Sequence, residues 1–468
     1  MFRTAALVLI TLAAPLFAQP PGPTGDWPMD RIKTKFGAVY SGLILDEYGD
    51  VVKFRIVNRP PGRPTVTLTT TFTTSEIDKV TRLTDDDRKK LRERLAALDA
   101  DAGGAGEQER IGGLEFTPTD WLGKEKGGKR YDADQFVLVS GAQDDITRRA
   151  AVRLEKIYTA FDRVLPRRHQ AARPTRVELA DTLDDYKAVL KASGVKVQNA
   201  AVFFPADNRI VCGSDLKRLG DDLRRTRLHH EQQRVALDKT EKELKELYKG
   251  SKDELERFLG AVRKERDKIA AAERENDAAF DAATKRLFAI LYHEAFHSYA
   301  AAFVFPPLKA DDIRAGTGTG ELPRWLNEGL AQMFEDPVIE AGELRVGHAD
   351  PVRLKKAQDA VADKKPDGGL VPLADLLRTG QEQFVTAHAG EKEVADRHYL
   401  SAWAVAHYLT FGRKVVGTKG LDDYLIAVNT GTDPAKAFAG LVGQDLPAFE
   451  KDWHDYLRKL QPDGSVRK

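Results

Sequence analysis

The first regular pattern in the chain is a series of short apolar stretches between residues 27 and 83. β-Branched and apolar residues alternate there with polar ones, and Gly37, Gly49–Asp50 and Pro60–Gly62 interrupt them as turns. The pattern predicts five strands, at Lys33–Phe36, Gly42–Leu45, Val51–Val57, Val66–Thr70 and Ile77–Val80.

Five short strands in so small a segment are typical of an SH3-like or Sm-like β barrel. Such a barrel either binds peptides and other domains or serves only as an N-terminal packing module. A charged helix is predicted next, over Asp85–Ala102, and the Gly-rich segment Gly103–Gly113 follows as a linker. We therefore divide the chain into a β domain at 27–83, a helix and linker at 84–112, and one large domain at 113–468.

Strands and amphipathic helices alternate at the start of the large domain. Phe136–Ser140 and Thr175–Leu179 have the composition of strands, and Asp144–Leu165 and Thr182–Ser193 have helical periodicity. A hairpin or bent edge strand is predicted after them, as Ala200–Phe204, a turn at Pro205–Asn208, and Arg209–Cys212. The fold class is therefore α+β.

Residues 215–285 are dense in charge and poor in apolar positions. The segment predicts an antiparallel, coiled-coil-like helical hairpin with a break at Gly250–Ser251. It is either a structural insertion or a partner-binding arm, and His229 and His230 are expected in solvent. The second helix continues into the apolar run Ala283–Val304, which predicts a buried helix.

That buried helix contains the sequence His293-Glu294-Ala295-Phe296-His297. Histidines four residues apart project from the same face of a helix, one turn apart, so both imidazoles can reach one metal ion. Glu294 points near the same side and can hold a metal-bound water. The alternative is a pair of core histidines satisfied by hydrogen bonds.

A catalytic zinc site needs a third protein ligand. Glu328 lies 31 residues after His297, inside an apolar helical stripe where an uncompensated carboxylate is unfavourable. A histidine six residues after His297 would be the other arrangement, but Phe303 occupies that position. Glu328 is therefore the candidate third ligand.

The segments HEAFH and PRWLNEGLA together resemble the gluzincin metallopeptidases. They are most similar to an uncharacterised, often secreted, bacterial gluzincin-like family with a later Y-x-x-x-W-A-x-x-H-Y-L helix, here Tyr399–Leu409. The resemblance covers roughly residues 135–460. It implies a zincin-like, mainly helical domain in which His293, His297 and Glu328 bind one Zn²⁺ and Glu294 acts as general base on a water.

The resemblance also implies a side chain that stabilises the oxyanion. Tyr399 is the first candidate, His407 the second and Tyr408 the third, and each could instead be a packed helix residue. Asn327 or Gln332 could orient the ligands. The edge strand at 200–204 is the expected binding site for extended substrate.

Composition changes this picture in only a few respects. The formal net charge of +1 gives no electrostatic reason to expect a nucleic-acid partner. Residues 1–18 have the pattern of a signal peptide, with an uncleaved anchor as the alternative, and no later segment predicts membrane insertion. Export to the periplasm or the extracellular space is expected. Cys212, the sole cysteine, is expected to be buried and inert.

The sequence thus predicts a zinc peptidase acting on a peptide or protein substrate. One alternative is an inactive zinc-binding scaffold that contacts partners through the β barrel and the helical arm. A hydrolase of non-peptide amides is a further alternative.

Overall fold

The structure is a computed structural model that describes most of the chain. The described residues are 27–59, 65–101, 110–171, 173–194, 200–309, 318–335, 339–340, 343–344, 349–362, 369–380, 382–384 and 389–467. The expected signal peptide at 1–18 and most of the expected linker lie outside them.

Five antiparallel strands form the first sheet, and all five were predicted. They are β1 (Asp30–Thr34), β2 (Val39–Tyr48), β3 (Val51–Asn58), β4 (Val66–Thr73) and β5 (Ile77–Thr81), in the order β4-β3-β2-β1-β5. No ladder joins β4 to β5 in the described part of the chain, so the strands form an open sheet rather than a closed barrel. Helix α1 (Asp85–Asp101) packs Leu91 and Leu95 against Trp27.

A second, six-stranded sheet has the order β10-β11-β9-β8-β7-β6. Its strands are β6 (Thr117–Trp121), β7 (Lys124–Asp132), β8 (Phe136–Ser140), β9 (Thr175–Ala180), β10 (Ala201–Phe204) and β11 (Arg209–Gly213). The pairs β8–β9 and β9–β11 are parallel, whereas β10 is an antiparallel edge strand. The β6–β7 hairpin was not predicted, because its charged residues and glycines show no apolar alternation.

The helices that follow these strands agree with the predicted pattern. Helix α2 (Asp144–Val164) lies in the main core, and α3 (Leu183–Ala192) begins after Thr182. The Thr182 hydroxyl accepts a hydrogen bond from the Asp185 N–H at 3.1 Å, which satisfies one free donor of the first turn. Cys212 is fully buried, and burial raises the pKa of its thiol, as expected of an inert cysteine.

The charged arm consists of α4 (Leu216–Leu247) and α5 (Lys252–Tyr299), which ends in a π-helical turn at Ala300–Val304. Ion pairs such as Arg266–Asp238 at 2.7 Å connect the two helices. The expectation for His230 was wrong. Its side chain is buried between the helices, with Nδ1 3.9 Å from a carboxylate oxygen of Glu273, whereas His229 is exposed.

The remaining chain is mainly helical and completes an α+β fold. Its helices are α6 (Arg324–Gln332), α7 (Pro351–Ala362), α8 (Leu373–Leu376), α9 (Ala389–His407), α10 (Lys419–Asn429), α11 (Pro434–Val442) and α12 (Leu446–Lys459). A small hairpin, β12 (Ile339–Glu340) and β13 (Glu343–Leu344), follows α6. One continuous apolar core runs from the second sheet through α5 and α6 to α12. In the described part of the chain, no helix has the length and apolarity needed to cross a membrane.

Candidate metal centre

The two histidines of α5 lie side by side at the end of the helix that comes from the arm. Their ring centroids are 4.7 Å apart. Ala295 and Phe296, which lie between them in the sequence, are fully buried. Only 12% of the His293 side chain and 8% of the His297 side chain are exposed. Two imidazoles are therefore presented together in a nearly dry environment.

Glu328 on α6 is the third member of this group and is fully buried. One of its carboxylate oxygens is 3.0 Å from His293 Nε2, and the other is 3.5 Å from His297 Nε2. One potential ligand atom from each residue lies within 4.8 Å of the others. These three residues form a group that could hold a metal ion.

Gly329 brings α6 against α9 at this point. A Cβ atom built on Gly329 would lie 2.3 Å from the Ala402 carbonyl oxygen and 2.8 Å from the Ala406 Cβ. The two helix backbones are therefore in direct contact, and only glycine leaves room for it. This contact fixes the position of Glu328, the preceding residue, relative to the core.

The other nitrogen of each imidazole has an oxygen acceptor. His293 Nδ1 is 2.8 Å from Glu335 Oε1, and His297 Nδ1 is 3.0 Å from Asn327 Oδ1. A carboxylate or an amide oxygen can only accept, so each Nδ1 carries a hydrogen. Each Nε2 is directed to Glu328. Metal-binding histidines are held in this manner in proteins, because the outer hydrogen bond fixes both tautomer and ring orientation.

Of the two residues considered for orienting the ligands, only Asn327 contacts one. Gln332 instead donates to the Glu328 carbonyl oxygen at 3.2 Å and to the Tyr399 carbonyl oxygen at 2.9 Å. It therefore joins α6 to α9 rather than touching a ligand side chain.

Strong electrostatic coupling links the buried charges of the group. Burial lowers the pKa of His293, but its hydrogen bonds to Glu328 and Glu335 outweigh burial and raise it to about 10. Burial raises the pKa of both Glu328 and Glu335, yet the facing histidines, together with Arg353 in the case of Glu335, leave both values lowered. The carboxylates are thus ionised and need a positive charge between them, which a proton or a metal cation can supply. The donor set fits a divalent metal.

Arg324 also neutralises Glu328. Its Nη2 atom is 2.5 Å from Glu328 Oε1, one helical turn along α6. About a third of the Arg324 side chain remains exposed. A cation from the protein therefore lies directly beside the buried ligand group.

Glu294 lies next to the edge strand of the second sheet. Its carboxylate oxygen accepts a hydrogen bond from the Phe203 backbone N–H at 3.0 Å. In the antiparallel ladder of β10 and β11, Val202 lies opposite Val211. Backbone groups of successive residues point to opposite sides of a strand, so the N–H of Phe203 points away from β11. The expected general base and the expected substrate-binding strand are therefore in contact.

The structure separates the three candidates for the oxyanion donor. Tyr399 is half-buried, donates to the Phe384 carbonyl oxygen at 3.2 Å, and has its pKa raised by burial and then by the charge of Glu328. The charge of Glu294 also raises the pKa of this hydroxyl.

His407 and Tyr408 are elsewhere, in the core beneath α12. His407 is fully buried, and its Nδ1 is 3.1 Å from the Tyr456 hydroxyl. The Tyr408 ring packs on Tyr456 and Phe449, with ring centroids 4.8 Å and 5.4 Å away. Neither residue is part of the group formed by the two histidines and Glu328.

Part of the chain is similar to a known protein family. Residues 288–416 match the family described as "Protein of unknown function (DUF1570)". The matched segment contains His293, His297 and Glu328 as well as the Tyr399–Leu409 motif. No curated protein matches the chain.

Three residues of this site were not predicted from the sequence: Glu335, Arg353 and Arg324. Glu335 binds His293 through one oxygen and the Arg353 guanidinium through the other. Glu335 lies three residues beyond the end of α6, so helical spacing from Glu328 does not predict its direction. Arg353 comes from α7, which no local pattern connects with the histidines.

Proposed function

We propose that this protein is a zinc-dependent peptidase of the gluzincin type. The observation that carries the proposal is the set of Nε2 atoms of His293 and His297 facing Glu328, with Glu294 beside them on a sheet edge. Two imidazoles and one carboxylate are the donors of catalytic zinc sites, and they suit zinc better than the oxygen-seeking magnesium or calcium.

When bound, zinc lowers the pKa of a water toward neutrality and polarises a substrate carbonyl. Every other task falls to the chain. His293, His297 and Glu328 hold the ion, and Glu335 and Asn327 keep the two imidazoles in the tautomer that leaves Nε2 free to bind it.

Glu294 accepts the proton of the attacking water and passes it to the leaving amine. Its hydrogen bond from the Phe203 N–H holds the carboxylate in one orientation. Tyr399 is the proposed donor to the oxyanion, since its hydroxyl lies in the field of the site carboxylates while His407 is packed in the core.

The proposed substrate is a peptide or protein in extended conformation. The outer edge of β10 carries no further strand in the described part of the chain, so its outward backbone groups other than the Phe203 N–H, which Glu294 occupies, can pair with a substrate strand. Glu294 already contacts the N–H of Phe203 on this edge, which brings a bound peptide bond close to the base.

Export through the N-terminal segment, to the periplasm or the extracellular space, is part of the same proposal. The open β sheet and the charged arm are the proposed surfaces for protein partners. A nucleic-acid partner has no electrostatic basis in a chain of formal net charge +1.

The test is a peptide-library digest combined with metal analysis of the wild type and of Glu294→Gln. We expect the variant to keep its zinc and to lose cleavage by roughly 10²-fold or more. Glu275→Gln, an exposed carboxylate on the same helix, is the control and should cleave normally. Zinc binding without any cleavage by the wild type would favour the scaffold alternative. Cleavage of non-peptide amides alone would favour the other hydrolase. Absence of zinc would contradict the proposal.

A further inference from the structure

A pocket lies beside the group formed by His293, His297 and Glu328, on the other side of Glu335. It has a volume of about 440 Å³ and is lined by α5, the end of α6, the start of α7, and α9. This volume is in the range of small-molecule sites in proteins. The pocket is not needed for the proposed reaction.

The charges around the pocket favour an anion. Lys285 and Arg286 on α5 and Arg353 on α7 bring three cationic side chains to its wall, against the carboxylates of Glu335 and Asp350. Both carboxylates are already engaged. Glu335 lies between His293 and Arg353, and Asp350 caps α7 by accepting the Arg353 backbone N–H at 2.6 Å.

Arg286 makes no hydrogen bond or ion pair with the described residues, although it is exposed at the pocket mouth. Arg353 is more buried and is directed by its bonds to Glu335 and to the Gln332 carbonyl oxygen, 3.0 Å away. A small oxyanion could thus be reached by the guanidinium of Arg353, which these bonds hold, and by the exposed guanidinium of Arg286.

The rest of the wall is mainly apolar. Met333, Ala289 and Ala282 line the pocket together with Trp403, which is buried and has the Arg353 guanidinium over its ring, 5.8 Å from the centroid. An apolar group attached to the anion would cover Met333 and Ala289. An inorganic anion would leave these side chains uncovered.

We propose that this pocket binds a small organic oxyanion, a phosphate ester or a carboxylate with an apolar body. The pocket shares Glu335 and Arg353 with the support of His293, so its ligand and the metal lie close together. An anion attracts a nearby dication, and it also draws Arg353 away from Glu335, which leaves that carboxylate to His293. Both effects make anion and metal strengthen each other's binding, and the factor is the same in both directions.

The experiment is calorimetric titration of the full chain with phenyl phosphate and with inorganic phosphate. We expect phenyl phosphate to bind more tightly than inorganic phosphate. The double variant Lys285→Gln/Arg286→Gln should weaken binding roughly tenfold or more, because charge-assisted hydrogen bonds are lost. The control is Arg263→Gln/Lys264→Gln, an exposed Arg-Lys pair further along the same helix. It should bind as the wild type does.

The same titration on metal-free and zinc-loaded protein tests the coupling. We expect the metal-free protein to bind phenyl phosphate about fivefold or more weakly, but not to lose binding. Binding that vanishes without metal and ignores the Lys285/Arg286 substitutions would place the anion on the metal and overturn the proposal. Equal affinity for both phosphates or no measurable heat at millimolar ligand would also overturn it. The comparison of the two phosphates and the Lys285/Arg286 substitutions need neither peptidase activity nor metal, so their outcome is independent of the proposed function, whereas the coupling rests on the proposed zinc site.

Discussion

The carboxylate of Glu294 accepts a hydrogen bond from the backbone N–H of Phe203, with 3.0 Å between the two heavy atoms. The donor belongs to the backbone of an edge strand, so its position depends on the sheet and not on any side chain. The proposed general base therefore keeps its orientation with any residue other than proline at position 203.

This hydrogen bond predicts different effects on kcat for two substitutions of Phe203. Phe203→Pro removes the N–H and puts Cδ in its place, so we expect kcat to fall roughly tenfold or more with zinc retained. Proline is tolerated on an edge strand whose N–H points outward. Phe203→Ala keeps the N–H and should leave kcat near the wild-type value. Equal kcat values for both variants, measured on one peptide substrate, would show that the hydrogen bond is not used.

Glu335 is expected to control metal affinity without touching the metal. Glu335→Gln removes the negative charge that orients His293. Mutating such a hydrogen-bond partner of a metal-binding histidine lowers metal affinity by about 10–100-fold. Competition with a chromophoric chelator measures this change. Asp359→Asn on the exposed face of α7 is the control and should bind zinc as the wild type does. An unchanged affinity in Glu335→Gln would mean that the His293–Glu335 contact is lost when the metal binds.

Metal binding is expected to release a proton. The pKa of His293 is raised to about 10 without metal, so at pH 8 this imidazole is protonated and must lose about one proton to become a ligand. Apparent affinity should therefore rise with pH between 7 and 9. Calorimetry in buffers of different ionisation enthalpy counts the protons. A zinc affinity that does not change between pH 7 and 9 would contradict the raised pKa of His293.

The same shift has a consequence for the stability of the metal-free protein. The folded pKa of His293 lies above its ordinary value of 6.5, so protonation stabilises the fold. This contribution is fully present below pH 6.5 and is lost as the pH rises through about 10. Denaturant unfolding of metal-free protein at pH 6.5 and pH 10 tests the direction.

Gly329 is expected to tolerate no side chain. In Gly329→Ala the new Cβ meets the Ala402 carbonyl at 2.3 Å, and because this backbone atom cannot move alone, we expect a loss of about 1–3 kcal/mol in unfolding free energy. The helix propensity of alanine offsets at most about 1 kcal/mol. Gly260→Ala is the matched control, since no atom lies within 4 Å of its Cβ. That control should be neutral or stabilising by chemical denaturation.

Tyr399 and His407 should respond differently to substitution. Tyr399→Phe removes the proposed oxyanion donor, so kcat should fall by about 10²-fold with little change in stability. His407→Phe leaves the buried Tyr456 hydroxyl without its partner and should lower the unfolding free energy by about 1–3 kcal/mol. Its kcat should stay near the wild-type value. A loss of kcat in a fully folded His407 variant would reverse the two roles.

Local patterns were enough to predict the parts of the site that lie on one helix. The four-residue spacing of His293 and His297 determines a common face, and a carboxylate in an apolar stripe singled out Glu328. The five strands of the first sheet were visible because each alternates. The β6–β7 hairpin was missed because lysines and glycines fill β7, and the backbone ladder rather than a buried face holds it in the sheet.

The remaining features of the site depend on packing between helices that are distant in the sequence. Tyr399 and His407 are on the same helix, and only the packing of α12 places one in the core and leaves the other near the carboxylates. Arg353 reaches Glu335 from α7, a contact between distant segments that no spacing encodes. His230 was misjudged for the same reason, since its burial comes from the facing helix of the arm.

Helix α5 runs without a break for 48 residues, from the tip of the arm to the residues after His297. At 1.5 Å per residue it is a rod about 72 Å long with the imidazoles mounted near one end. A rod cannot swing at its tip without rotating at its base, where Glu335 contacts His293 and the edge strand contacts Glu294. A force on the arm would therefore be transmitted along the helix to the arrangement of His293, His297 and Glu328. Mechanically, the arm and the two histidines belong to one element.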